Sequence, residues 1–303
     1  MRARWSFVTV VVSAACFGTL AVLTPLAYES GARPLPLLAW RFAIAGVLLA
    51  AVATARNRRA LWVPHSDVLR YSALALTGYG AASVCFFYAL VYADAAVVAV
   101  LLYAYPSLVT LAGWAMRKER PSWRKGLAVA TTFAGCALVV GLGSASVHAA
   151  WQGVALGLGA AVGYTLFNLL SSKWLPGRSR LTMMAYTFGI AALLPAAGAI
   201  VEGGVAGLST EAWTGRTWLL LGAIVLVPTF AAVLLYLEGI RGMGPSQAAV
   251  VSTVEPVFTI ALAALVLGER LTPLQLVGVA LVLSGVVVAE TGAGSTELQP
   301  APS

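Results

Sequence analysis

Glu255 lies in a long apolar run between Gln247 and Gly268, and Pro256 follows it directly. A carboxylate deep in a bilayer is costly, so such a residue is read first as part of a substrate or ion path. Proline lacks an N–H and clashes with the preceding turn, which leaves nearby carbonyls able to face something polar. On a helix, Ser252, Thr259 and, a turn further, Ala248 share the face of Glu255. That stripe is small and polar, as expected of a wall facing a cavity rather than lipid. A carboxyl there could take a proton on one side of the membrane and release it on the other, coupling transport to a proton gradient. The competing reading is a structural carboxyl hydrogen-bonded to a neighbouring helix.

Further candidates fall in other apolar runs. Tyr105-Pro106 stands 150 residues before Glu255-Pro256. Its phenol could donate to a carboxylate, stack on a substrate ring, or simply pack with its hydroxyl satisfied. Arg41 has apolar helix neighbours in Leu37, Leu38, Ile44 and Ala45, so no partner sits on its own face. It is expected to meet a substrate carboxylate or Glu255, or to snorkel outward beside Trp40. Asn168 carries an amide of the kind that bridges helices, and Tyr79 is a candidate aromatic wall. Tyr88, Tyr103, Tyr164 and Tyr236 remain open between cavity, packing and interfacial belt. Pro25, Pro106, Pro228 and Pro256, with Pro195, are candidate kinks where a rocking transporter hinges or binds.

These residues need helices that cross a membrane. Of 303 residues 60% are hydrophobic and 10% charged, with mean hydropathy +0.89. A soluble domain carries about 25% charged residues. Ten apolar runs can be cut out, near 5–28, 35–55, 68–92, 95–116, 123–142, 151–172, 181–201, 216–240, 245–267 and 273–290. Each matches the roughly 20 residues that a helix needs to cross the hydrocarbon core. The tightest joint is Tyr92-Ala93-Asp94-Ala95. Arg2 and Arg4 ahead of an apolar stretch resemble a secretory leader, but the stretch continues past Cys16 to Ala27, so retention as a span is expected. Cys16, Cys85 and Cys136 lie in apolar runs and imply no disulfide framework. Gly153/Gly157 and Gly159/Gly163 allow close helix approach within the monomer.

The cations orient the bundle. With the N-terminus in the cytoplasm, that side holds Arg2, Arg4, Arg56, Arg58, Arg59, Arg70, Arg117, Lys118, Arg120, Arg124, Lys125, Lys173, Arg178, Arg180 and Arg241, which is 15 of the 19. Arg33, Arg216 and Arg270 fall outside. The positive-inside rule therefore places both termini in the cytoplasm of an inner (plasma) membrane protein. No basic run is long enough to suggest nucleic acid.

The chain also repeats itself. A shift of 146 lays Ala39-Trp40-Arg41-Phe42 on Ala185-Tyr186-Thr187-Phe188, and a shift of 150 lays Pro106 on Pro256, Glu119-Arg120 on Glu269-Arg270 and Gly135 on Gly285. The expected fold is all-α: ten transmembrane helices as two inverted five-helix repeats around a central cavity. The repeats span residues 1–146 and 147–290, with 291–303 a disordered cytoplasmic tail.

Five plus five spans, Ala39-Trp40-Arg41-Phe42, and Gly244-Pro245-Ser246 through Glu255-Pro256-Val257-Phe258 to Leu267-Gly268-Glu269-Arg270 resemble the EamA family of the drug/metabolite transporter superfamily. The resemblance covers about residues 5–290. It implies a ten-helix bundle, alternating access and export of a small metabolite or drug, without naming the substrate. The first half departs from the pattern, with Lys118-Glu119-Arg120 where Gly-Glu-Arg is usual and Tyr105 where the second half has Glu255.

The expected function is secondary transport of a small organic solute, amino acid-like or amphipathic, most simply outward and coupled to protons. Uptake is the alternative. An intramembrane enzyme is disfavoured: Gly-x-Ser-x-Gly, His-Glu-x-x-His and the phosphate-cradling Gly-x-x-x-x-Gly-Lys are all missing, and His65 and His148 fall on opposite sides. A non-transporting scaffold has no need of a midplane Glu-Pro. Expected partners are the solute, the lipid bilayer and protons, with no metal or cofactor, in a monomer or homodimer.

Overall fold

The structure is a computed structural model that describes residues 2–116, 122–140 and 150–294. The described residues are helical, with no strand among them. Eight helical runs are long and apolar enough to cross a membrane: Arg4–Glu29, Pro34–Arg56, His65–Tyr92, Ala95–Ala115, Trp151–Trp174, Arg180–Gly203, Gly215–Met243 and Gln247–Leu267. Trp123–Val140 and Pro273–Gly294 fall in the fifth and tenth places, which brings the described helical runs into rough agreement with ten spans. The joint at Ala93-Asp94 is where the third span stops and the fourth starts. The tenth helix continues past Glu290 to Gly294. The Lys118-Glu119-Arg120 motif, the loop Gly141 to His148 and the end of the tail lie outside the described residues.

Two kinds of irregularity come in matched pairs. The fourth span breaks at Tyr103-Ala104, and the ninth at Thr253-Val254, 150 positions later. Pro106 and Pro256 each sit in the first turn of the helix that follows the break. A missing N–H costs least there, since first-turn donors have no partner inside the helix. Wider π-helical turns interrupt the third span at Leu74–Gly80 and the eighth at Leu226–Ala231. In the eighth the cause is Pro228, which cannot bond the carbonyl four residues back. The hydroxyl of Thr229 donates to Ile224 O instead, at 2.7 Å.

Packing between the halves is reciprocal. A Cβ added at Gly135 would meet the backbone of Gly278 and Val282, and one at Gly285 would meet Ala128. The shift of 150 exchanges 135 with 285 and 128 with 278, so these are one contact made twice. Residue numbers run in opposite senses along the two helices, which are therefore antiparallel. The axis relating the repeats thus lies across the helices, in the plane of the membrane. That is the geometry of an inverted repeat.

The second and seventh spans meet in the same way. Phe42 stacks on its counterpart Phe188 with centroids 5.6 Å apart, and a Cβ at Gly46 would lie 2.7 Å from Gly189 N. The first span packs on the eighth, where Ser13 Oγ donates to Ala232 O at 2.7 Å. The third packs on the sixth, where Gly163 admits Ala82. The most extensive helix pairings all join one half to the other, so the repeats interlock. Lipid gives helices little hydrophobic reason to associate, and close approach at small residues supplies the contact.

Candidate functional site

A cavity of about 500 Å³ lies between the repeats, walled by every span except the fifth and tenth. Glu255, Tyr105, Arg41, Asn168, Ser252, Thr259 and Tyr79 all line it. The lining extends to Leu175, Arg180 and Ile240 at one end of the bundle.

Glu255 opens the second half-helix of the ninth span, directly after the break, and is half-buried. Tyr103 donates its hydroxyl to Glu255 Oε2 at 3.0 Å and lies 3.2 Å from Ser252 O, a carbonyl that the break exposes. Thr259, almost fully buried, reaches back to Glu255 O at 3.2 Å and across to Gly18 O at 3.3 Å, tying the ninth span to the first. Ser252 Oγ donates to Ala249 O within its own helix.

The phenol on the carboxylate is therefore Tyr103, two residues before the symmetry counterpart Tyr105. On a continuous helix those residues would point about 200° apart. The turn at Tyr103-Ala104 brings both to the same cavity. Tyr105 packs edge-on against Tyr164 at 4.8 Å, and Tyr103 lies 6.1 Å from Tyr105. Tyr79 follows, 6.4 Å from Tyr164 and 5.0 Å from Phe188. Tyr103, Tyr164 and Tyr236 thus join the wall along with Phe17, Phe86, Phe167, Met183 and Met184. Tyr88 does not: its hydroxyl donates to Glu202 Oε1 at 2.7 Å, and neither residue lines the cavity. The Tyr-x-Tyr-Pro spacing was the available signal for Tyr103, and reading it required knowing that the helix breaks there.

Arg41 is 1% exposed and neither meets Glu255 nor snorkels. Its Nε donates to Thr229 Oγ1 at 2.8 Å, and its guanidinium lies 5.1 Å from the Phe42 ring centre and 5.4 Å from that of Phe87. Tyr79 stands beside it. Thr229 and Tyr79 are 150 apart and sit in the two matched π-helical turns. One cation thus binds both turns from within the second span. Among the described residues no carboxylate pairs with it.

Asn168 donates to Tyr164 O, one turn back, at 2.8 Å, so its amide serves its own helix rather than bridging to another. Pro25 lies inside Leu20–Glu29, and the interruption of the first span falls earlier, at Thr19. Pro195 follows the interruption at Ala192. The glycine pairs of the sixth span face different neighbours, Gly153 and Gly157 toward Ala93 and Leu101, Gly159 and Gly163 toward Cys85 and Ala82.

A smaller hollow, about 350 Å³, lies where Arg56 and Arg59 approach Arg178. There Asp67 joins Arg70 at 2.6 Å and Arg178 at 2.8 Å, linking the start of the third span to the loop after the sixth. Glu238 pairs with Arg241 at 3.0 Å on the surface.

Two interlocked antiparallel repeats enclosing a cavity with an acidic residue at a helix break define a multi-pass membrane protein of transporter architecture. The EamA-like transporter family model matches the chain twice, over residues 4–141 and 151–291. The chain belongs to that family. It is 28% identical over 295 residues to an uncharacterized transporter, YwfM, of Bacillus subtilis (strain 168), covering 92% of this chain and 91% of that one. A solved crystal structure at 20% identity superposes with a TM-score of 0.67, over 96% of this chain and 98% of the other, and supports the fold alone. The family indicates a transporter rather than an enzyme.

Proposed function

We propose that the protein is a secondary transporter that carries a small organic solute, amino acid-like or amphipathic, by alternating access, outward across the cell membrane. The observation that carries this reading is the position of Glu255: half-buried, beside a helix break, on the wall of a cavity of about 500 Å³ between the repeats. Small-molecule sites span about 300–1,000 Å³ and combine apolar walls with a few placed polar groups. Tyrosines and phenylalanines supply the walls, and Glu255, Ser252 and Asn168 the polar groups.

Outward transport is the direction the family resemblance implies, and the end that the cavity reaches is compatible with it. Leu175, Arg180 and Ile240 adjoin the cation-rich loops, which the positive-inside rule assigns to the cytoplasm. An exporter would load its solute from a cavity reaching that face. Proton coupling follows if Glu255 exchanges its proton for solute during the cycle. Purified protein in liposomes, screened for flux of amino acids, nucleobases and organic cations under an imposed pH gradient, tests the reading. Solute flux that the gradient drives and Glu255→Gln abolishes is expected. Transport of none of these classes, or gradient-driven flux unchanged in the variant, overturns it.

A further inference from the structure

At the end of the bundle away from Arg180, a carboxylate of one repeat caps a helix of the other. The half-helix Ala95–Leu102 opens the fourth span, with Asp94 at its N-cap position. Aspartate is among the preferred N-caps because its carboxylate can accept first-turn N–H groups. Asp94 makes no such bond to its own helix. Glu269 does so in its place: Oε1 accepts the N–H of Ala95 at 2.8 Å and Oε2 that of Ala96 at 3.0 Å.

The ninth span is built to deliver that carboxylate. Gly268 adopts φ +71°, a left-handed conformation that glycine takes without strain, and ends the helix. The N–H of Glu269 bonds back to Ala263 O at 3.3 Å, which fixes where its side chain starts. Burial raises the Glu269 carboxyl above its ordinary pKa, the N–H groups of Ala96 and Ala95 oppose this, and the charge of Asp94 adds to it. Two carboxylates therefore compete for one positive helix end.

We propose that Glu269 and Asp94 are alternative caps of this helix, exchanged as the transporter changes conformation. Glu269 caps it while this end is closed, and Asp94 takes over when the fourth and ninth spans part. The proposal rests on the alternating-access reading above. Parting these spans strips two charge-assisted bonds from first-turn donors, and donors left without partners are costly. Asp94 already holds an N-cap backbone, with φ −58° and ψ 145°, so its carboxylate stands within a side-chain rotation of the same N–H groups and would exchange its present contact for them. One of the two donors has no counterpart in the other repeat: the position 150 residues on from Ala95 is Pro245, and proline has no N–H to offer. Losing Glu269 favours opening of this end, and losing Asp94 opposes it.

The test is a distance measurement between spin labels on Val91→Cys and Leu265→Cys, both on the outside of the bundle, with Cys16, Cys85 and Cys136 replaced and the protein in lipid nanodiscs. Two distances are expected. E269A and the isosteric E269Q should raise the longer-distance population at least threefold, D94A should lower it at least threefold, and D94A/E269A should lie between the single variants. Two distances whose ratio ignores both residues, or moves the same way for both, overturn the cap exchange and leave alternating access standing. A single distance in the parent and every variant overturns both.

Discussion

Phe42 and Phe188 occupy the same place in the two repeats and stack on each other, ring centres 5.6 Å apart and planes 28° apart. Residues equivalent under a two-fold can touch only near its axis, so this pair marks where the pseudo-axis passes. Arg41, Tyr79 and the two π-helical turns cluster around it. The cavity and Glu255 are built outward from that point.

The Glu255–Tyr103 contact should matter to transport more than the Tyr105 phenol does. Tyr103→Phe removes a hydrogen bond to a carboxylate, worth about 1.5–3 kcal/mol when the acceptor is charged. Solute flux in liposomes should fall roughly tenfold or more, since each 1.4 kcal/mol is a factor of ten. Tyr105→Phe keeps the ring on Tyr164 and should cost less. Equal losses would place the important hydroxyl elsewhere.

The glycines at the pseudo-axis are not equivalent to substitution. A Cβ at Gly46 would lie 2.7 Å from the backbone nitrogen of Gly189, whereas one at Gly189 would meet nothing within 4 Å. Gly46→Ala should destabilise by about 1–3 kcal/mol through overpacking. Gly189→Ala should be neutral or stabilising, as alanine is the better helix former. Thermal unfolding in detergent compares the two, and a lower midpoint for Gly189→Ala would refute the helix crossing described.

Arg41 should act on the scaffold rather than on charge selectivity. Thr229→Val strips the Nε acceptor and leaves Ile224 O without its hydroxyl donor, a loss of about 1–3 kcal/mol for unsatisfied buried groups. Arg41→Ala should lower the unfolding midpoint and reduce flux of neutral and anionic solutes alike. A loss confined to anionic solutes would reassign Arg41 to substrate contact.

Asp67 joins two cations, and Arg178 is only one of them. Arg178→Ala should therefore be milder than Asp67→Asn, which weakens both pairs at once. The measurement is the unfolding midpoint at low and high salt. The gap between the two variants should narrow as salt screens the pairs.

Much of the bundle was legible in the chain. Apolar runs of spanning length, parted by Arg-rich and Gly/Pro-bearing turns, yield ten helices because the bilayer core leaves a helix as the simplest way to satisfy backbone groups. Two constant offsets reveal the duplication, and an odd number of spans per copy forces the inversion. Glu255, Ser252 and Thr259 were readable as one face because helical periodicity is local. Matching Glu269-Arg270 with Glu119-Arg120 marked that motif as meaningful without showing what its carboxylate does.

Partners separated by long stretches of chain were decided by tertiary structure. No periodicity tells that Arg41 binds Thr229 rather than Glu255, because the choice depends on how the second span crosses the eighth. Tyr103 reaches Glu255 only because the fourth span breaks between it and Tyr105. Glu269 caps Ala95 and Ala96 across 174 and 173 residues. Sequence specifies which groups cannot remain unsatisfied in lipid. The packing of interlocked repeats determines which neighbour satisfies each.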